Sequence, residues 1–344
     1  MLGLSVPVEM GEDAKRALLE AGLLDKGWRI VRRDRNVIFP LTGRPEPALV
    51  LSLHGEIVEI SPDRRSYTKE KPFDRIRQRL ADLPEDIISQ IPSRWERYGH
   101  VLVLRLPESL RPHFQYISRV YAEVLGCDTV ILDRGGIAGE YREPVAEVVF
   151  GENTETTHLE NGILYSFDAA MIMFSSGNID ERVRMAGLNC SGETVLDMFA
   201  GIGYFSLPIA RYTGAARVIS IEKNPVAYRY LLRNIRDNGL DNVEAYNMDN
   251  RDFEGEAVAD RILMGYVGTT HLFLEKALSL LKDTGIIHYH ETCPETLLPD
   301  RPLERLKLAA ERNGRRMELL GTRRIKSYAP GVYHIVADAR FERV

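Results

Sequence analysis

From Thr194 to the C-terminus, short apolar runs alternate with longer stretches of helical period. Val195–Met198, Arg217–Ile221, Val243–Asn247, Arg261–Met264 and Ile286–His290 read as strands. A stretch ending at Tyr212, Pro225–Asn238, Thr270–Leu281 and Pro302–Asn313 read as the helices between them. Pro225 opens its helix, where a missing N–H costs nothing. Strands and helices alternating at this spacing predict a mostly parallel sheet covered on both faces. A final pair of strands, near Met317–Thr322 and Val332–Ala337, breaks the alternation and predicts one antiparallel strand at the edge.

The first half is less regular. A helix at Ala14–Leu23 precedes strands near Trp28–Val31, Val37–Pro40 and Ala48–Leu53, a small mixed α/β module over 1–60. Residues 61–94 are polar, basic and punctuated by proline, and read as a linker carrying an amphipathic helix, Asp74–Leu83. A second mixed α/β unit over 95–170 holds a strand at His100–Leu106 and a helix from Pro107 to Leu125. Strands at Thr129–Asp133, Val145–Phe150, Thr156–Glu160 and Ile163–Phe167 follow. A helix over 179–188 then leads into the regular unit, which spans 171–344.

Composition narrows the classes. With 44% hydrophobic and 28% charged residues, the 344-residue chain has the balance of a water-soluble globular protein. No apolar run reaches membrane-spanning length, and the start MLGLSVPVEMGEDAKR lacks the basic-then-apolar pattern of a secretion signal. Cys127, Cys190 and Cys293 are widely spaced and read as free thiols in a reducing cytoplasm. The net charge of −5 does not mark a nucleic-acid binder, so the distribution matters more than the total. Arg64, Arg65, Lys69, Lys71, Arg75, Arg77 and Arg79 stand against only Asp63, Glu70 and Asp74. A second basic cluster holds Arg312, Arg315, Arg316, Arg323, Arg324 and Lys326.

The sharpest chemical signal is Asp197-Met198-Phe199-Ala200-Gly201-Ile202-Gly203, at the end of a strand and the opening of a helix. Ligands of open α/β sheets bind outside the carboxyl ends of the strands, and glycine there permits close approach. A dinucleotide fingerprint needs a third glycine where Ser206 stands, and no phosphate-cradling GxxxxGK[ST] is present. Glu222 ends the next strand, placed to accept both ribose hydroxyls of a nucleoside. Asp249 and Asn250 end the third, placed to read the amino edge of adenine. An adenosine seat without a pyrophosphate site points to S-adenosylmethionine.

The stretch Phe174-Ser175-Ser176-Gly177-Asn178-Ile179 with Glu181-Arg182, then DMFAGIGYFS, IEKNP, MDNRD, DRILMGYVGTT and IIHYHE, resembles the archaeal tRNA wybutosine-synthesizing protein 2 family. That family belongs to the archaeal and eukaryotic tRNA (guanine-37) methyltransferase superfamily. The resemblance covers about residues 95–344, and the first 60 residues look like the small N-terminal module of the related methyltransferases. It implies an α/β fold with a C-terminal Rossmann-like class I methyltransferase domain, preceded by small mixed α/β RNA-binding domains. It further implies transfer of the 3-amino-3-carboxypropyl group of S-adenosylmethionine to carbon 7 of 4-demethylwyosine. The target lies at position 37, in the anticodon loop of phenylalanine tRNA, and methylthioadenosine is released. No metal is required. Carried over by motif, Ser175 and Arg182 hold the amino-acid part of the donor, with Arg182 on its carboxylate. Gly201 and Gly203 shape the turn, Glu222 holds the ribose, and Asp249 and Asn250 hold the adenine. The related guanine-N1 methyltransferases carry Asn-Pro-Pro or Asn-Leu-Pro after the fourth strand; here that place reads Met264-Gly265-Tyr266-Val267. The difference argues against methyl transfer, which remains the alternative, with a non-catalytic RNA-binding module as the second. No residue is singled out as general base.

Tyr266, after a strand end, is a candidate for stacking on an extruded base. His288, His290, Glu291 and Cys293 suggest a metal, but no third His or Cys stands at a ligand spacing, and they read as strand residues near the pocket. Arg64, Arg65, Arg315 and Lys326 are the expected phosphate contacts, and a cytoplasmic monomer is expected. Neutralising Arg64 and Arg65 together should weaken tRNA binding and lower the salt slope by about one for each phosphate no longer neutralised. A double variant whose log-affinity against log-salt line keeps the wild-type slope would exclude both.

Overall fold

The computed structural model describes residues 1–33, 36–60, 71–138 and 143–344. Arg64, Arg65 and Lys69 lie outside the described residues. The chain forms two compact units, Met1–Lys71 and Pro72–Val344.

The first unit comprises β1 (Leu2–Pro7), α1 (Gly11–Glu20), β2 (Val31–Arg33), β3 (Asn36–Pro40), α2 (Pro47–Ser52) and β4 (Glu56–Glu59). Its antiparallel sheet has the order β2-β3-β1-β4. Ala14 and Leu18 of α1 share a core with Leu4, Val6, Phe39, Leu41 and Leu53. Two expectations fail here. The central strand β1 is not anticipated by the sequence pattern, and the apolar run at Ala48–Leu53 is a helix, not a strand. Six residues of apolar run fit either period; Pro47, at the first helical position after extended Glu46, decides for the helix.

The second unit begins with α3 (Pro72–Arg79), α4 (Glu85–Ile88), β5 (Glu96–Tyr98), β6 (Val101–Leu104), α5 (Phe114–Leu125), β7 (Thr129–Ala138) and β8 (Glu143–Phe150). The sheet runs β5-β6-β7-β8, with β6 and β7 parallel across α5. Ile76, Leu80, Ile88 and Ile91 are buried against Leu102, Leu104, Val130, Leu132 and the apolar face of α5. Residues 72–92, expected within a linker, are therefore part of this core.

The hairpin β9 (Glu155–Glu160) and β10 (Ile163–Asp168) forms a two-stranded sheet of its own. Its inward Ile163, Tyr165 and Phe167 pack on Ala200, Ile202 and Leu207, and on Tyr98, Val101 and Ile131. The boundary expected at 171 thus falls inside a shared core.

The remainder comprises α6 (Ile179–Ala186), β11 (Thr194–Asp197), α7 (Ser206–Tyr212), β12 (Arg217–Glu222), α8 (Pro225–Asp237), β13 (Val243–Asn247), β14 (Ala259–Met264), α9 (Leu274–Leu280), β15 (Leu281–Pro294), α10 (Asp300–Arg312), β16 (Arg315–Ala329) and β17 (Val332–Arg343). Seven strands lie in the order β13-β12-β11-β14-β15-β17-β16, the Rossmann-like architecture expected. The first five are parallel. β17 is antiparallel and is inserted between β15 and β16, so the antiparallel strand lies one place inside the edge. Alternate residues face opposite layers. Leu196, Ile262 and Ile287 pack on α9 and α10, while Val195, Val218 and Leu263 pack with Met185 of α6 and Ile209 of α7. Among the described residues, no helix is long and apolar enough to cross a membrane.

The open edge of β10 is covered from α8. Asn234 Oδ1 accepts the Ser166 amide at 2.7 Å, and its Nδ2 donates to the carbonyls of Ser166 and Ile202 at 3.2 and 3.1 Å. One turn later Asn238 repeats the pattern on Leu164, accepting its amide at 2.9 Å and donating to its carbonyl at 2.8 Å. Two side-chain amides thus act as a substitute strand. Asn234→Ala strands three buried backbone groups and should cost about 3 kcal/mol in urea unfolding; a loss below about 1 kcal/mol would remove this role.

Candidate functional site

The tips of β11, β12 and β13 converge on the Gly201–Gly203 turn. Gly201 has φ +58° and Gly203 φ +100°, both in the left-handed region. A Cβ on Gly201 would stand 2.6 Å from the Tyr204 ring, and one on Gly203 2.5 Å from Leu207. The Gly201 amide donates to Glu222 Oε2 at 2.7 Å, and the Asn224 amide donates to Glu222 Oε1 at 2.7 Å. Burial pushes the Glu222 pKa up, and these amides pull against it. Each carboxylate oxygen retains a lone pair for a further donor.

Asp197, fully buried behind the turn, accepts the Ser206 hydroxyl at 2.8 Å and the Phe199 amide at 3.1 Å. At the adenine end expected from the sequence, Asp249 is held by Arg251 and by Lys223, whose Nζ donates at 3.0 Å. Arg251 keeps its pKa well below the carboxylate range. Neither cation stands out in the sequence, although Lys223 directly follows Glu222. Asn250 is turned inward: its Nδ2 donates to the Met198 carbonyl at 2.9 Å, and its buried Oδ1 meets no donor among the described residues. Its side chain ties β13 to β11 rather than presenting an open edge.

The other end of the site is fastened to the same turn. Tyr204 Oη donates to the Met173 carbonyl at 2.6 Å, and Tyr98 Oη to the Phe174 carbonyl at 2.6 Å. Phe174 lies under Tyr204, Tyr165 and Phe167. Ser175 directly follows this fastened segment, just before α6. Arg182 does not project an open fork. Its Nε and Nη2 clamp Glu160 at 2.5 and 2.8 Å, its Nη1 donates to the Ser175 carbonyl at 3.0 Å, and its guanidinium lies 4.8 Å over the Phe174 ring. The fork thus already holds a carboxylate, that of Glu160, 22 residues away on β9.

Lys326 on β16, expected at a tRNA phosphate, reaches Ser175 instead, with Nζ donating to Oγ at 2.6 Å. Arg315 also departs from expectation. Its terminal nitrogens donate to the carbonyls of Lys282, Asp283, Leu278 and Leu281, closing the end of α9. Its donors are spent on backbone, which removes it from the phosphate contacts. Tyr266 stacks on Phe199 with ring centroids 5.1 Å apart and planes 18° apart.

The histidines belong to a buried polar chain. Glu193 pairs with Arg261 at 2.7 Å, Arg261 with His288 at 2.9 Å, and His288 with Asp338 at 2.5 Å. Asp338 pairs with Arg184 at 2.7 Å and Arg184 with Glu181 at 2.5 Å. His290 Nδ1 lies 3.0 Å from His334 Nε2. Burial lowers the pKa of both His288 and His290. Among the described residues, no group of three or more His, Cys, Asp or Glu could hold a metal ion.

A sequence profile described as the TRM5/TYW2 methyltransferase domain matches residues 156–320. The TYW2 N-terminal domain matches 76–154, and the tRNA methyltransferase 5 N-terminal domain matches 3–49. Over 268 residues, 77% of this chain and 96% of the relative, the sequence is 53% identical to a tRNA(Phe) (4-demethylwyosine(37)-C(7)) aminocarboxypropyltransferase of Pyrococcus horikoshii. The chain belongs to the TRM5/TYW2 family.

Within the TRM5/TYW2 family, the solved TYW2 of P. horikoshii in complex with MeSAdo superposes with a TM-score of 0.73 at 49% identity, over 79% of this chain and 100% of that one. TYW2 of Methanocaldococcus jannaschii in complex with AdoMet gives 0.61 at 43%, over 73% and 100%. The tRNA (guanine(37)-N(1))-methyltransferase Trm5b of Pyrococcus abyssi is 34% identical over 98% of each chain. Its structure gives a TM-score of 0.71, over 99% of each chain.

Burial raises Asp197 to about 6, above its ordinary value of 3.8. The fold therefore favours the protonated form, and the contribution of this group is full below about pH 4 and lost as pH rises through about 6. The total loss is about 3 kcal/mol. The stability difference between wild type and Asp197→Asn should shift against wild type from about pH 4 to about pH 6 in denaturant titrations and level off above that; a constant difference would refute the shift.

Proposed function

We propose that this chain transfers the 3-amino-3-carboxypropyl group of S-adenosylmethionine to carbon 7 of 4-demethylwyosine at position 37 of phenylalanine tRNA. The observation that carries the reading is the 53% identity to an aminocarboxypropyltransferase along 96% of its length, against 34% to the guanine-N1 methyltransferase Trm5b. The Met264-Gly265-Tyr266-Val267 stretch after β14 supports it, as the methyltransferase Asn and Pro are absent there.

The residues fit the donor. Glycines 201 and 203 take left-handed φ values and leave no room for a Cβ against Tyr204 and Leu207, so the backbone itself forms the wall of the turn that would face the donor. Glu222 has acceptor capacity for the two ribose hydroxyls, and Asp249 stands at the tip of the next strand to accept from adenine. Arg182 is a positioning residue, holding the Ser175 carbonyl through a guanidinium that Glu160 fixes. When bound there, S-adenosylmethionine supplies an electrophilic carbon to carbon 7; the carbon–sulfur pair stays on sulfur in methylthioadenosine, and the carbon 7 proton passes to solvent. The protein decides the product by which sulfonium carbon it aims at the base. Tyr266, stacked on Phe199, would extend that stack to the extruded base.

For the RNA, exposed Arg316, Arg323 and Arg324 of β16 are the phosphate candidates on this unit. Arg324 pairs with Glu295 at 3.0 Å and lies over Tyr333, and a phosphate would compete with that carboxylate. The substrate is the anticodon loop, met by a monomer in the cytoplasm.

Demethylwyosine-containing tRNA, incubated with donor labelled separately in methyl and carboxypropyl carbons, should acquire the carboxypropyl label and release the methyl label as methylthioadenosine. Methyl label in the tRNA without carboxypropyl label would overturn the proposal in favour of guanine methylation.

A further inference from the structure

The tip of β15 carries positive charge that its own neighbours do not balance. Glu291, near the end of the strand, is 1% exposed. Its Oε2 accepts the Tyr289 hydroxyl at 2.7 Å, and its Oε1 accepts Arg301 Nε at 2.8 Å and Arg305 Nη1 at 2.7 Å. The two arginines stand one turn apart on α10, and both side chains keep 27% exposure. Among the described residues, no other carboxylate comes within ion-pair distance of either. Asp300 and Glu304, beside them in the chain, are exposed and stay outside that distance. Two guanidiniums on one carboxylate leave a net positive charge.

Arg301 alone suffices to tether α10 to β15, because it holds both Glu291 and the Thr292 carbonyl, the latter at 2.5 Å. Arg305 repeats the contact to the same oxygen. As a tether it is redundant, and it adds a second partly desolvated charge that the duplicated bond does not offset. Arg301 Nη1 and Arg305 Nη2 make no hydrogen bond to the described residues. The pair is a fork short of one anion.

Its place in the fold names the anion. α10 follows β15 and packs back along the sheet, so its first turns lie at the carboxyl ends of the strands, where ligands of α/β sheets bind. Pro299, at its N-cap, supplies no side-chain cap, and the helix dipole adds to the same positive end. Met264 of β14 pairs with Tyr289, and Tyr266 and Glu291 are each two residues further on. The loop after Tyr266 is held by Thr270, whose hydroxyl donates to the Tyr266 carbonyl at 2.7 Å. The next residue, His271, has its pKa lowered by burial, then by Arg305 and Arg301, against Glu291. The arginines thus border the loop that carries Tyr266.

We propose that Arg305, oriented by Glu291 and assisted by Arg301, binds a backbone phosphodiester of the tRNA beside the nucleotide whose base enters at Tyr266. A guanidinium presents a planar pair of donors to two phosphate oxygens, and Glu291 sets the fork before the RNA arrives. The phosphate balances the trio. Held there, the strand is fixed while its base leaves the stack. The assignment rests on the reading of tRNA as substrate and is indifferent to which group of the donor is transferred.

Arg305→Met leaves the Arg301 tether in place, so it should melt like wild type and bind S-adenosylmethionine within about 2-fold of it. Its tRNA affinity should fall several-fold, and the slope of log affinity against log salt should shrink by about 0.7 to 0.9, with Arg305→Lys keeping the wild-type slope. Transfer RNAs with a single neutral methylphosphonate at each linkage flanking nucleotide 37 locate the contact. One such linkage should weaken wild type several-fold and leave Arg305→Met unaffected. An unchanged salt slope in Arg305→Met, or neutral linkages that affect wild type and variant equally, would overturn the seat. So would a defect confined to inorganic phosphate binding in calorimetry, which marks a free-anion site. A wild type that binds tRNA through this seat but transfers methyl would sink the functional reading and leave the seat standing. A wild type that binds no tRNA would remove both.

Discussion

One half-buried carboxylate organises the site. Glu222 receives the Gly201 amide on one oxygen and the Asn224 amide on the other, bonding the glycine turn after β11 to the tip of β12 and the start of α8. Without those bonds two part-buried backbone donors would lose their partner, at about 1–3 kcal/mol each. The carboxylate thus braces the left-handed turn that Gly201 and Gly203 make possible. Two neighbouring segments are fastened to that turn, Met173 through Tyr204 and the start of α7 through Asp197.

The opposite face of the same region is held by charge. The chain from Glu193 through Arg261, His288, Asp338 and Arg184 to Glu181 crosses from the start of β11 to α6, with His288 linking an arginine to a carboxylate and carboxylate–arginine pairs on either side. Removing one member leaves an uncompensated charge in a low dielectric, so such chains resist piecemeal change even where they add little net stability. Here it fixes α6, and so the segment just before it, relative to β14, β15 and β17. The histidines that look like metal ligands in the sequence belong to this framework.

The strand-end residues are legible in the sequence because each sits at a punctuation mark. Asp197, Glu222 and Asp249 close short apolar runs, and Gly201 or the Asn224-Pro225 pair follows at once. The alternation of β11 to β15 with helices is legible for the same reason. What is not legible depends on distant partners. Glu160 clamps Arg182 from 22 residues away, and 151 residues separate Lys326 from Ser175. Arg315 reads as a surface cation until the backbone carbonyls at the end of α9 are seen around it. In the first unit, α2 reads as a strand because five apolar residues broken only by Ser52 carry no clear period, and β1 is hidden because Leu4 and Val6 alternate over too few positions.

The order of strands carries a consequence for assembly. β16 pairs only with β17, which follows it in the chain and lies between it and β15. Because β16 reaches the sheet only through β17, any lesion that frays β17 from β15 also detaches β16, and with it the Lys326–Ser175 bond.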